Sequence, residues 1–155
     1  MEPRIVDRKP LTVIGIKIIT RPMSPEIPAL WPRFMDRAHE VSGILEPRVS
    51  YGVMQMHGGG AEGLMYLAGV SVADRAAPVP AGMTAVTVPA GRYAVFEFPL
   101  SEIGPAFDHI FNTWLPSSGY SPVDAPMFER YGEAFDPAIP SSRMEAYLPV
   151  QARAD

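Results

Sequence analysis

One order of elements is written twice along this chain, and that repetition restricts the fold more than any single motif does. In the first half, Leu11 to Thr20 (LTVIGIKIIT) is β-branched and apolar on both phases, as in a strand covered on both faces. Ser24-Pro25 and Pro28 are helix start signals. Trp31, Phe34, Met35, Ala38 and Val41 then fall on one helical stripe, with Arg33, Asp36, Arg37 and Glu40 opposite. An interior proline removes a helix hydrogen bond, so the regular helix is expected to start near Pro28, with Pro32 about its first turn, and to end at Gly43. Arg48 to His57 and Leu64 to Ala73 read as two strands joined by a glycine-rich hairpin loop, His57 to Gly63.

The second half repeats the order. Met83 to Val88 and Gly91 to Pro99 have strand composition and are split at Pro89-Ala90-Gly91. Ile103, Phe107, Ile110, Phe111 and Trp114 form a second helical stripe, closed by Pro116 and Gly119. Two last strands surround Glu129 (MFERY) and Glu145 (MEAYLPV). Met65-Tyr66-Leu67 aligns by eye with Ala146-Tyr147-Leu148. Two related halves are therefore expected to pair edge to edge with a cleft between them.

Composition narrows the function classes. Hydrophobic residues make up 47% and charged residues 19% of 155 residues, so the chain is globular and most simply one domain. Its halves are expected at about 1–75 and 82–155, around a Pro/Ala-rich connector. A net charge of -4 and a pI near 5.3 argue against direct nucleic-acid binding. No basic amphipathic stretch points to a membrane surface, and no apolar run is long enough to span one. The absence of cysteine excludes disulfides and thiolate chemistry. The charged N-terminal stretch Met1 to Pro10 does not read as a signal peptide. A cytoplasmic protein is expected.

Most motif matches dissolve on inspection. Gly58, Gly60 and Gly63 satisfy G-x-G-x-x-G, but a strand follows where the nucleotide fingerprint needs a helix. His57-Gly58-Gly59-Gly60 is similar to a hydrolase oxyanion loop, yet no G-x-S-x-G elbow accompanies it. His39, His57 and His109 do not pair with carboxylates at ligand spacing, so no metal is expected. No cofactor is expected either. The nine methionines supply adaptable apolar surface. Met35 and Phe111, on the helical stripes, read as core filling.

The remaining signal is an acid on an aromatic strand face. Alternation puts Glu129 with Met127 and Tyr131, and Glu145 with Tyr147. A carboxylate there is costly to ionise unless a cation or donor meets it. Tyr51, Met54, Met56 and Tyr66 lie on strands that would pair beside the Glu129 strand if the halves are symmetric. Glu129 could equally be a surface acid paired with Arg130.

Pro89-Ala90-Gly91-Arg92-Tyr93-Ala94-Val95-Phe96, Trp114-Leu115-Pro116-Ser117-Ser118-Gly119-Tyr120, Pro126-Met127-Phe128-Glu129-Arg130-Tyr131 and Glu145-Ala146-Tyr147-Leu148-Pro149-Val150 occur in that order. With Leu30-Trp31-Pro32-Arg33-Phe34 and Ser50-Tyr51-Gly52 in the first half, the set resembles the GyrI-like, or AraC-type effector-binding, domain family over nearly the whole chain. The resemblance implies an α+β fold. It would be a tandem β-α-β-β repeat with pseudo-twofold symmetry, antiparallel sheet, two helices and a central ligand cleft. It implies Glu129 as the acid of a pocket for amphipathic aromatic or cationic compounds, with Trp31, Tyr51 and Tyr66 as stacking faces and Glu145 as a second acid.

The sequence carries no helix-turn-helix and no basic region, so a stand-alone member is expected. Three functions follow from the resemblance. The first is binding or sequestration of amphipathic cations, with Glu129 as counter-ion and a lining of Trp31, Tyr51, Met54, Met56, Tyr66, Tyr131, Glu145 and Tyr147. The second is a hydrolase opening strained cyclopropane-type electrophiles, with Glu129 as base or acid and Tyr66 as donor to the leaving oxygen. The third is a gyrase-inhibitor-like module whose partner is a protein, gyrase or a regulator.

Overall fold

The computed structural model describes residues 1–56 and 63–154. The expected hairpin loop at 57–63 lies, apart from Gly63, outside the described residues. The strands are β1 (Arg4–Arg8), β2 (Leu11–Thr20), β3 (Ser50–Met56), β4 (Leu64–Val72), β5 (Thr84–Val88), β6 (Gly91–Pro99), β7 (Tyr120–Pro122), β8 (Met127–Tyr131) and β9 (Arg143–Ala152). Helix α1 spans Glu26–Met35. Helix α2 spans Ile103–His109 and runs on through a π-helical turn, Ile110–Trp114, and a last α-turn, Leu115–Ser117.

The fold is α+β, with one antiparallel sheet in the order β1-β6-β9-β8-β3-β4-β2-β5 and β7 added beside β9. The order reads the same from both ends once the halves are matched: β6-β9-β8 against β2-β4-β3. The pseudo-twofold axis passes between β8 and β3, where Gly52 faces Glu129 and Met54 faces Met127. The edge strands are exchanged. β1 leads into β2 through Lys9-Pro10 yet pairs with β6, and β5 leads into β6 through Pro89-Ala90 yet pairs with β2. Two short links thus hold opposite edges of the sheet near one another, which bends it around a core on its far face. Tyr51, Val53, Leu67, Tyr93, Val95, Phe128 and Tyr147 fill that core.

The near face carries both helices. Leu30 and Phe34 of α1 pack on Ile14, Ile16 and Ala68. Ala106, Ile110 and Trp114 of the second helical segment pack on Phe96, Met144 and Ala146. α1 begins at Glu26, earlier than Pro28, and ends at Met35 with a separate 3-10 turn at Ala38–Glu40, so Pro32 lies inside it. The Ser24 hydroxyl accepts the Glu26 N–H at 3.2 Å. Burial of Leu30 and Phe34 outweighs the bond that Pro32 cannot make. Arg4–Arg8 is a strand that the sequence reading passed over as a charged terminus. It is an edge strand, and its charges suit that position.

Candidate functional site

The two helices cover the flanks of the sheet and leave the β8–β3 seam open. A cleft of about 1230 Å³ occupies the gap. Its floor carries Met54, Met127, Glu129, Tyr66 and Tyr131; α1 supplies Ile27, Trp31 and Met35, and the second helical segment supplies Ile103, Phe107 and Phe111. The lining is mostly apolar; Glu129 is its one buried acid, and Arg48 and Asp124 are exposed charges of the same lining.

Glu129 is 3% exposed and is the one buried charged residue among those described. Strand alternation turns it to the cleft with Met127 and Tyr131, while Phe128 turns to the far core. Its Oε1 accepts the Tyr66 hydroxyl at 2.7 Å and the Tyr131 hydroxyl at 2.8 Å. Trp31 Nε1 donates to the Tyr66 oxygen at 3.2 Å. The Trp31 ring meets Tyr131 edge-on at 5.4 Å and Tyr66 at 6.5 Å. Oε2 accepts no bond from the described residues, and no buried side-chain polar atom among them lacks a partner. Oε2 is thus left without a donor among the described residues, on a side chain that lines the cleft. Gly52, directly across the seam, makes the arrangement possible. A Cβ there would strike the Tyr66 hydroxyl and come within 2.7 Å of Glu129 Oε1.

Among the described residues no cation pairs with Glu129. Burial pushes its carboxyl above the usual range, and the two phenol donors only partly counter this. Burial and then the adjacent carboxylate push both the Tyr66 and Tyr131 phenols well above the ordinary tyrosine range, so they act here as donors and poor acids.

Three expected lining residues lie elsewhere. Tyr51 is an odd position on β3, and alternation sends it to the face opposite Met54 and Met56. Its hydroxyl donates to Glu46 Oε2 at 2.6 Å and accepts from Arg130 Nε at 3.3 Å. Glu145 faces Arg130 across the β8–β9 ladder, not Glu129, and pairs with Arg4 at 2.7 Å and Arg130 at 3.5 Å. Tyr147 stacks on Phe128 at 4.5 Å in the far core, under the Arg8 guanidinium. The error is one of parity. On β4 and β9 it is the even-numbered residues, Tyr66 and Ala68 and then Ala146 and Leu148, that face the helices, so matching Tyr66 with Tyr147 crosses from one face to the other. Trp31, Met54, Met56, Tyr66 and Tyr131 do line the cleft with Glu129.

Other cleft residues escaped the sequence reading. Met35 and Phe111, read as core, are 56% and 40% exposed and stand at the cleft. Their signal was a second apolar stripe on each helix: Pro28, Trp31, Pro32 and Met35 on α1, beside the buried Leu30 and Phe34, and Ile103, Phe107 and Phe111 on the other. A helix apolar on two faces has one face to spare for a ligand. Among the described residues no cluster of metal-ligating side chains occurs, and no helix is long and apolar enough to cross a membrane.

Comparison with known proteins identifies the family and agrees with the fold. The profile of the GyrI-like small molecule binding domain matches residues 1–151. The transcriptional regulator BrlR of Pseudomonas aeruginosa is 35% identical over 153 residues, which are 97% of this chain and 56% of the regulator; the chain thus spans just over half that relative's length. Among solved structures, SAV2435 bound to tetraphenylphosphonium superposes with a TM-score of 0.70 at 20% identity, over 97% of this chain and 94% of that one. The C-terminal domain of EcmrR gives 0.68 at 15% identity over 98% of each chain. A protein of Listeria innocua described as a hydrolase gives 0.59 at 10% identity, over 97% and 92%.

Proposed function

The chain belongs to the GyrI-like small molecule binding domain family, and from that membership we propose that it binds amphipathic aromatic cations in the seam cleft, with Glu129 as their counter-ion. The observation that carries this reading is the buried carboxylate whose partners, among the described residues, are two neutral phenols. Ionising it inside an apolar cleft is unfavourable, and a lipophilic cation removes that penalty by bringing the missing charge. Trp31 and Tyr131 add aromatic faces at which the same cation is held through the ring quadrupole. Met54, Met56 and Met127 adapt to ligands of different outline. The tetraphenylphosphonium ion in SAV2435 is a ligand of this chemistry and supports the choice of probe.

The test is a fluorescence titration of wild type and Glu129→Gln with tetraphenylphosphonium and with triphenylphosphine oxide, a neutral compound of similar bulk. Glu129→Gln is expected to weaken cation binding by about 2 kcal/mol, or 30-fold, and to leave the neutral compound's affinity unchanged. Equal cation affinity in a folded variant would remove the counter-ion role.

A second reading rests on Oε2, the carboxylate oxygen with no donor among the described residues. With its pKa raised, Glu129 could take a proton from a water as that water attacks a strained electrophile. Tyr66 would then have to protonate the leaving atom. Its raised pKa and its commitment to Glu129 make it a weak acid for that step, so binding without turnover is the better-supported function. A product heavier by one water, formed by wild type and not by Glu129→Gln, would reverse the ranking.

A further inference from the structure

Met23 stands apart from every other described residue. It is the one non-glycine with positive φ, at 61°. Pro22 and Met23 are the central residues of a turn closed by the Ser24 N–H on the Arg21 carbonyl at 3.2 Å. Proline is the usual residue at the second position of such a turn, and glycine or asparagine at the third, because a side chain crowds the left-handed backbone. Methionine here accepts that strain, and its side chain is 61% exposed, so no core contact compensates.

What the side chain does touch is the other half of the molecule. Its terminal methyl lies 3.7 Å from where a Cβ on Gly104 would stand, in the first turn of α2. Gly104 is thus bare where Met23 arrives. The turn precedes α1, so this one side chain reaches across from the α1 wall of the cleft to the α2 wall, and it belongs to the cleft lining. Strained backbone, an exposed apolar side chain and a bare landing point on the opposite helix coincide at one residue of the cleft lining.

We infer that Met23 is the aperture residue of the cleft, which sets how bulky a ligand can enter between the two helices. The inference rests on the cleft being the binding site proposed above. Flat aromatic cations pass beside the thioether. Compounds with aryl groups in three dimensions enter only when the Met23 side chain leaves Gly104.

The experiment is stopped-flow association, read through the intrinsic tryptophan fluorescence. It uses N-methylquinolinium as the flat cation, tetraphenylphosphonium as the bulky cation and triphenylphosphine oxide as the bulky neutral compound. Met23→Gly is expected to speed entry of both bulky compounds about tenfold, a barrier change of ordinary size for one contact, and to leave N-methylquinolinium unchanged. Met23→Asn, which also suits the turn, should behave likewise, and both variants should melt about 3 °C higher as strain is relieved. Gly104→Ala puts a methyl in ordinary contact with Met23; it should slow the bulky compounds in the wild-type background and do nothing beside Met23→Gly. Equal acceleration of flat and bulky compounds, or none, overturns the aperture. If the cations fail to bind while the oxide still enters faster in Met23→Gly, the counter-ion reading falls and the aperture stands.

Discussion

Glu129 and Arg130 are neighbours in the chain and lie on opposite faces of β8, and the two faces treat charge in opposite ways. Arg130 sits in a network that closes on itself. It reaches Glu46 at 3.1 Å, the Tyr51 hydroxyl at 3.3 Å and Glu145 at 3.5 Å, while Tyr51 and Ser71 both donate to Glu46. Burial works against the Glu46 carboxyl, but its bonds to Tyr51, Ser71 and Arg130 more than offset this and hold it below the usual range. Glu129 has two donors and, among the described residues, no cation, and its pKa moves the other way. A carboxylate that the protein has already neutralised serves stability. In the proposed function, one that is hydrogen-bonded but left without a counter-charge is the group that takes up a cation from outside.

The largest effect should come from closing the space that keeps Glu129 in place. Gly52→Ala drives a methyl into the Tyr66–Glu129 bond, and crowding of that kind costs about 1–3 kcal/mol. Denaturant unfolding should show the loss, and tetraphenylphosphonium affinity should fall with it. A smaller effect should appear in the pH dependence of stability. Because the folded-state pKa of Glu129 is raised, its contribution to stability is complete below the unfolded value near 4.5 and is lost as pH rises through the folded value. Glu129→Gln should therefore match wild type in acid and exceed it near neutrality. Glu46 runs in reverse. Its depressed pKa contributes stability above the unfolded value that is lost as pH falls through the folded one, so Glu46→Gln should be weaker near neutrality, by about 1 kcal/mol, and approach wild type in acid. Melting temperatures across pH read both slopes, and parallel slopes would erase the distinction between the faces.

Most of the element order was legible because apolar stripes and β-branched runs report local structure directly, while the charged edge strand β1 and the three-residue β7 carry no such run. So was the company of Glu129: period-2 alternation through Met127, Glu129 and Tyr131 needs no tertiary information. Tyr51 could also have been placed, since it differs in parity from Met54 and Met56 on the same strand. Tyr147 could not, because its face depends on the register of β9 against β8, and by-eye matching of halves leaves that register free by one residue. Two further features required the assembled molecule. The exchange of β1 and β5 between halves is carried by links whose sequence does not say which edge they reach, and the meeting of Met23 with Gly104 joins residues whose proximity only the folded halves create.

The most direct test of the central claim is calorimetry of tetraphenylphosphonium binding in buffers of different ionisation enthalpy, just above the ordinary carboxylate range, with wild type and Glu129→Gln. If Glu129 is the counter-ion, wild type releases protons as the cation binds, and Glu129→Gln binds weakly with no proton release from this site. Equal affinity and equal proton release in the two proteins would place the cation's partner elsewhere and contradict the account.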